Sequence, residues 1–217
     1  MTILSYALAL IGAYLLGSIS WGYLAGRLKG VDVRQVGSGS TGMTNVMRTL
    51  GVPLAILVLA GDVSKGVLSV LLARLLTDDV PMVEALAATL AVVGHNWPLF
   101  SGFRGGRGIA TGVGGLTTLN PLSGAVALSV FAVPVAVTRY VSLGSVLAVV
   151  SAMITMPLFA AMDITPWQYS VYLAIGGPII IWQHRGNLQR LIRGTERRLG
   201  ERAQAQPEDP NAIEGRR

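Results

Sequence analysis

The sequence predicts an all-α integral membrane protein with about seven transmembrane helices, and three observations carry that prediction. Charge is scarce: 52% of the 217 residues are hydrophobic and only 13% are charged, against roughly 25% charged in an average soluble domain. Nine of the charged residues fall within 197–217, so the rest of the chain holds too few to cover a water-exposed surface. Uncharged stretches of about 20 residues, long enough to cross a bilayer, recur along the chain, with the basic residues gathered between them. Water-soluble enzymes, disordered proteins and DNA-binding domains are excluded.

The elements follow in order. Residues 1–26 carry no charge and lack the basic start of a signal peptide, so they read as a first span. A basic segment with Arg27, Lys29, Arg34 and Arg48 precedes an apolar run over 49–76, and Asp78, Asp79 and Pro81 make the next turn. Another run, 82–100, leads into a Gly- and Arg-rich segment around Arg104 and Arg107. Residues 108–138 are again uncharged but are interrupted by Asn120-Pro121. After Arg139 come an uncharged stretch over 140–162, a turn at 163–166, a last run to about Gln183 and a strongly basic end.

Arginine and lysine cluster at 27–48, 104–107, 139 and 185–202, while the turns at 78–81, 120–121 and 163–166 have none. Placing every basic cluster in the cytoplasm puts the N-terminus outside and the C-terminus inside, with seven crossings. Two full crossings need roughly 40 residues and 108–138 offers 31, so a short helix pair is expected there. The competing topology takes 108–138 as one helix and puts Arg139 outside. Residues 1–200 read as one membrane domain. The stretch 201–217, with Pro207, Pro210 and mixed charge, is expected to be disordered. Within it Ile213-Glu214-Gly215-Arg216 matches a common engineered protease site, so part of it is expected to be an addition.

The chain has no cysteine and two histidines, His95 and His184. That excludes disulfides and thiolate chemistry and leaves too few ligands for a histidine metal cluster. No metal and no cofactor are expected. The isoelectric point near 10.2 comes from basic residues flanking apolar spans, which points to topology and anion handling, not to nucleic acid.

Three polar segments on the inferred cytoplasmic side carry the chemistry. In 37–42 three glycines and three hydroxyl residues, among them Ser38 and Gly39, precede Thr44, Asn45 and Arg48 at a helix start, where backbone amides favour an anion. In 102–111 Arg104 and Arg107 stand in a glycine run with Gly105, Gly106 and Gly108, followed by Thr111. Arginine offers a fixed fork of donors suited to phosphate. In 184–196 His184 and Asn187 share a helix face, with Arg190 and Arg193 beside them and Glu196 after. Each segment also fits a plain turn or an interfacial anchor. Their agreement on one side, joined by Arg139, Ser142 and Ser145, predicts a site for more than one phosphate group. Within the bilayer, Asp62 and Lys65 lie three apart and are expected to neutralise each other as a structural pair, while Glu84 is expected to reach the interface. No histidine–aspartate dyad, serine elbow or carboxylate pair is visible by spacing, so catalysis is expected to rest on positioning and charge.

The stretches GSGSTGMTNVMRTLG (37–51), GDVSKG (61–66), GHNWPLFSGFRGGRGIAT (94–111), RYVSLGS (139–145) and HRGNLQRLIRGTE (184–196) resemble, in order, the motifs of the PlsY-type acyl-phosphate:glycerol-3-phosphate acyltransferases of bacteria. Ser40, Met43, Arg104 and Arg107 depart from the usual Asn, Ala, Lys and Lys. The resemblance implies acyl transfer from acyl-phosphate to the sn-1 hydroxyl of glycerol 3-phosphate at the cytoplasmic face of the bacterial inner membrane, in phospholipid synthesis. It implies that Ser38, Arg48, Arg107, His184 and Asn187 carry activity, that Gly105, Gly106 and Gly108 hold phosphate, and that Glu196 is structural. Membrane lipid is the other partner, and no oligomeric state is implied. A phosphate transporter is the rival class, but alternating access needs polar residues at the midplane, where only Asp62, Lys65 and Glu84 qualify. A CDP-alcohol phosphotransferase would need an aspartate cluster that the chain lacks.

Overall fold

The computed structural model describes residues 2–201 and contains only helices among them. The expected disorder of 201–217 therefore concerns, beyond Glu201, residues outside the described ones. The elements are α1 (Ile3–Gly17), α2 (Trp21–Leu28), α3 (Met43–Leu50), α4 (Val52–Thr77), α5 (Pro81–Asn96), a short 3-10 turn (Leu99–Ser101), α6 (Ile109–Leu119), α7 (Pro121–Thr138), α8 (Val141–Ala161), α9 (Tyr169–Gln183) and α10 (Arg185–Ile192). Four stretches are long and apolar enough to cross a bilayer: Ile3–Leu28, Val52–Thr77, Pro121–Thr138 and Val141–Ala161. Helices α5 and α9 have 16 and 15 residues.

Packing rests on small residues. Helix α4 crosses α6 where a Cβ on Gly66 would strike the carbonyl of Thr111, and one on Gly114 the carbonyl of Val63. Lipid tails are as apolar as leucine, so close backbone approach is what favours helix association in a bilayer. Ala9 and Ala13 of α1 meet Ala73 of α4 and Ala87 of α5 in one cluster. A larger cluster runs from Val70 through Val92, Leu116 and Met156 to Tyr172 and Ile180, joining α4 to α9.

Irregular backbone inside a membrane must find internal partners, and the charged residues supply them. The break between α1 and α2 leaves the Ile19 carbonyl without a helical partner. Lys65 Nζ donates to it at 3.0 Å and pairs with Asp62 Oδ1 at 2.9 Å.

Helix α6 is the short member of the expected pair. Its 11 residues span about 16 Å, roughly half of a hydrocarbon core. It ends where Asn120 caps α7 by accepting from the Ser123 N–H at 2.8 Å, with Pro121 next. Arg74 satisfies the carbonyl of Thr118 at 3.1 Å, and its Nε donates to Glu84 at 2.8 Å. Tyr169 also donates to Glu84, at 2.9 Å. Glu84 does not reach the interface as expected: it is 1% exposed, because the missing length of α6 is made good by a knot of half-buried Arg74, the Glu84 carboxylate and Tyr169.

Candidate active site

The loop before α3 is held by one side chain. Asn45 Oδ1 accepts from the Ser38 N–H at 2.9 Å, and its amide nitrogen donates to the carbonyls of Val33, Val36 and Ser40 at 2.9 to 3.1 Å. Asn45, which also lines the cavity described below, has both polar atoms committed and positions Ser38. Arg34 forks onto Asp32 at 2.9 and 2.8 Å and donates to the Ser101 carbonyl at 2.7 Å. It thereby ties the first loop to the second and holds the Asp32 carboxyl below its usual range.

The second loop leaves α5 through the short 3-10 turn and enters α6. Gly106 donates to the carbonyl of His95 at 3.1 Å, and a Cβ on Gly106 would strike the His95 ring. Gly108 begins α6 at φ 85°, a left-handed conformation that side chains rarely adopt. The loop delivers Arg107 to a cavity of about 440 Å³ that is also lined by Ser38, Thr44, Arg48, His184, Asn187 and Arg190.

The third segment completes the polar end. His184 Nδ1 lies 2.8 Å from the Ile180 carbonyl, so that nitrogen carries the hydrogen and Nε2 remains an acceptor. Burial lowers the His184 pKa to about 4, leaving a neutral, weakly basic imidazole. Glu196 gathers three donors: Ser142 Oγ at 2.9 Å, Asn187 Nδ2 at 2.7 Å and Arg190 Nε at 2.8 Å. The Asn187 carbonyl oxygen stays uncommitted among the described residues. Arg107 has no hydrogen-bond or ion-pair partner among the described residues, and burial with nearby Arg190 lowers its pKa to about 10. It is a charged, poorly solvated donor facing the cavity.

Much of the remaining lining is apolar. Leu59 and Val63 of α4, Ile109 and Val113 of α6, Leu128 and Phe131 of α7 and Ala148 of α8 line it. One void therefore joins a cationic, amide-rich end to a hydrocarbon-like channel among four helices.

Several expected phosphate ligands do other work. Arg104 is exposed and lies outside the cavity lining. Arg139 donates to the Leu199 carbonyl at 2.6 Å, Ser142 serves Glu196, and Ser145 lines the cavity while donating to the Val141 carbonyl at 2.8 Å. Gly39, Gly105, Gly106 and Thr111 shape the loops and α6 without lining the void, whereas Gly108 lines it.

The fold also makes a dyad that spacing does not reveal. His95 Nδ1 lies 3.4 Å from Asp62 Oδ1, and both residues reach the cavity. They are 33 positions apart on different helices, so only the packing of α4 against α5 joins them. Arg197 and Leu199 also line the cavity without belonging to any expected motif. Glycines at 194 and 200, both at positive φ, are the local trace of that return. Among the described residues, no three histidine, aspartate or glutamate side chains converge as metal ligands.

This geometry has known relatives. The family model described as glycerol-3-phosphate acyltransferase matches residues 7–194. The glycerol-3-phosphate acyltransferase of Clostridioides difficile (strain 630) is 43% identical over 207 residues, covering 93% of this chain and 99% of that one. That of Rubrobacter xylanophilus is 44% identical over 200 residues, covering 92% and 98%. The crystal structure of PlsY (YgiH), an integral membrane glycerol 3-phosphate acyltransferase, in its glycerol 3-phosphate form superposes with a TM-score of 0.83 at 38% identity, covering 90% of this chain and 96% of that one.

Proposed function

Because the chain belongs to the glycerol-3-phosphate acyltransferase family, we propose that it transfers a fatty acyl group from acyl-phosphate to the sn-1 hydroxyl of glycerol 3-phosphate. The products are 1-acyl-glycerol 3-phosphate and inorganic phosphate. The observation that carries this reading is the single void with two chemistries: an anion-seeking end at Arg48 and Arg107, continuous with an apolar channel. One substrate is a small phosphate ester, and the other is a phosphate on a hydrocarbon chain.

The residues divide the work. Arg107 neutralises the phosphate that leaves when the anhydride C–O bond breaks. Arg48, His184 and Asn187 hold glycerol 3-phosphate, and Ser38 stands at the same end. As the hydroxyl oxygen bonds to the acyl carbon, its proton needs an acceptor. An imidazole with a pKa near 4 is a poor one, which favours a phosphate oxygen of the acyl-phosphate. The four arginines that line the cavity, Arg48, Arg107, Arg190 and Arg197, support a cytoplasmic active site in the bacterial inner membrane, with seven spans (α1 with α2, then α4 to α9) and the N-terminus outside. Cysteines at positions 104 and 139 should label from one side and a cysteine at 79 from the other. Labelling of 104 and 139 from opposite sides would make 108–138 a single crossing instead.

Purified protein given acyl-phosphate and glycerol 3-phosphate should release phosphate in the presence of a divalent-metal chelator. Turnover with acyl-CoA alone, or loss of activity on chelation of folded protein, would reject the donor and the metal-free chemistry.

A further inference from the structure

Beyond the last position matched by the family model, the chain folds back over the cavity. Gly194 turns it at φ 69° and Gly200 closes the return at φ 89°. Between them, the carbonyls of Arg197 and Arg198 accept from Arg48 Nη2 at 3.3 and 3.1 Å. Leu199 and Arg139 exchange two bonds: the Leu199 N–H donates to the Arg139 carbonyl at 2.7 Å, and Arg139 Nη2 donates to the Leu199 carbonyl at 2.6 Å. The Arg198 guanidinium also lies 5.6 Å from the Tyr140 ring centre. Meanwhile Arg48 Nε is buried with no hydrogen-bond partner among the described residues.

We propose that residues 197–199 are a backbone clamp that fixes the Arg48 guanidinium for a substrate phosphate, and that Arg139 is the positioning residue that holds the clamp. The inference rests on the proposed acyltransfer, because it gives Arg48 a phosphate to meet. The partners are the telling feature. A carboxylate against Arg48 would orient it but cancel its charge. Two neutral carbonyls take one nitrogen of the planar fork and leave the full positive charge, with Nε and Nη1 uncommitted among the described residues. Arg139 does not need to touch substrate, since its two bonds to Leu199 anchor the far end of the return. The return is thus a cavity wall built from main chain, and it acts through Arg48.

Two truncations test it. A chain ending at Glu201 keeps every bond of the clamp, and its kinetics should match the full chain. A chain ending at Glu196 keeps the Glu196 cluster but frees Arg48. Its KM for glycerol 3-phosphate should rise about tenfold, as expected for losing charge-assisted bonds that fix one side chain, with a smaller change in kcat. In an Arg48→Ala background the same truncation should cost nothing more. Arg139→Ala should raise KM about threefold, and Arg139→Lys should recover part of that, which keeps the test open even if the truncated chain folds poorly. A Glu196 truncation within twofold of the full chain, a gain in activity, or an equal loss in the Arg48→Ala background would each overturn the clamp. A full-length chain that fails to release phosphate from acyl-phosphate would instead overturn the proposed acyltransfer.

Discussion

Two arginines at opposite ends of the helix bundle show how one side chain serves two purposes. Arg74, near the end of α4, spends its donors on the Glu84 carboxylate at 2.8 Å and the Thr118 carbonyl at 3.1 Å. Arg107, at the start of α6, meets neither a carboxylate nor a carbonyl among the described residues and faces the cavity. An arginine whose donors are taken by a buried carboxylate and a carbonyl holds a structure together. One kept from water with none answered is poised for an anion that arrives from outside. Glu196 shows the same logic from the acidic side, since its three donors hold the third segment in place.

The largest effect should come from the unanswered end. Arg107→Ala removes a charge-assisted contact of roughly 2–4 kcal/mol, or about 30- to 1,000-fold in kcat/KM, with little change in Tm. Arg107→Lys should restore much of the loss, because it returns the charge without the fork. The answered end should behave in reverse. Arg74→Ala leaves Glu84 buried with only Tyr169 for company, which should cost about 3 kcal/mol of stability, read as a lower Tm, with turnover per folded molecule preserved. Glu84→Gln should cost less, since an amide oxygen still accepts from Tyr169 and Arg74. Smaller again, Arg104→Ala should stay within about threefold of the parent kcat/KM, as expected for an exposed charge. A larger loss would bring Arg104 into the site and blur the contrast between half-buried and exposed arginines in one loop.

Much of this contrast is written locally. Apolar run length gives the all-helical membrane class, and Asn120-Pro121 marks the end of a helix too short to cross alone. The motifs around Ser38, Arg48, Arg107, His184 and Asn187 converge on one cavity, because each sits at a helix end on the same side of the bundle. What spacing misses is made by packing. The Asp62–His95 contact and the Arg74–Glu84–Tyr169 knot join residues on different helices, so no periodicity records them. Polar side chains at loop edges mislead for a related reason. Asn45, Ser142 and Arg139 have the chemistry of phosphate ligands, but Asn45 is bound to carbonyls of its own loop, and Ser142 and Arg139 take carboxylate or backbone partners from a distant segment. The return at 197–199 works through main-chain carbonyls, which every sequence carries and none advertises.

The most direct measurement of the central claim takes Tm and kcat/KM for glycerol 3-phosphate on the same preparations of the parent, Arg107→Ala and Arg74→Ala proteins. The account predicts a crossing. Arg107→Ala keeps its Tm and loses at least about 30-fold in kcat/KM, while Arg74→Ala loses Tm and keeps its turnover per folded molecule. A folded Arg107→Ala protein within threefold of the parent would contradict it, leaving Arg107 a topology signal and the cavity without its phosphate-binding charge.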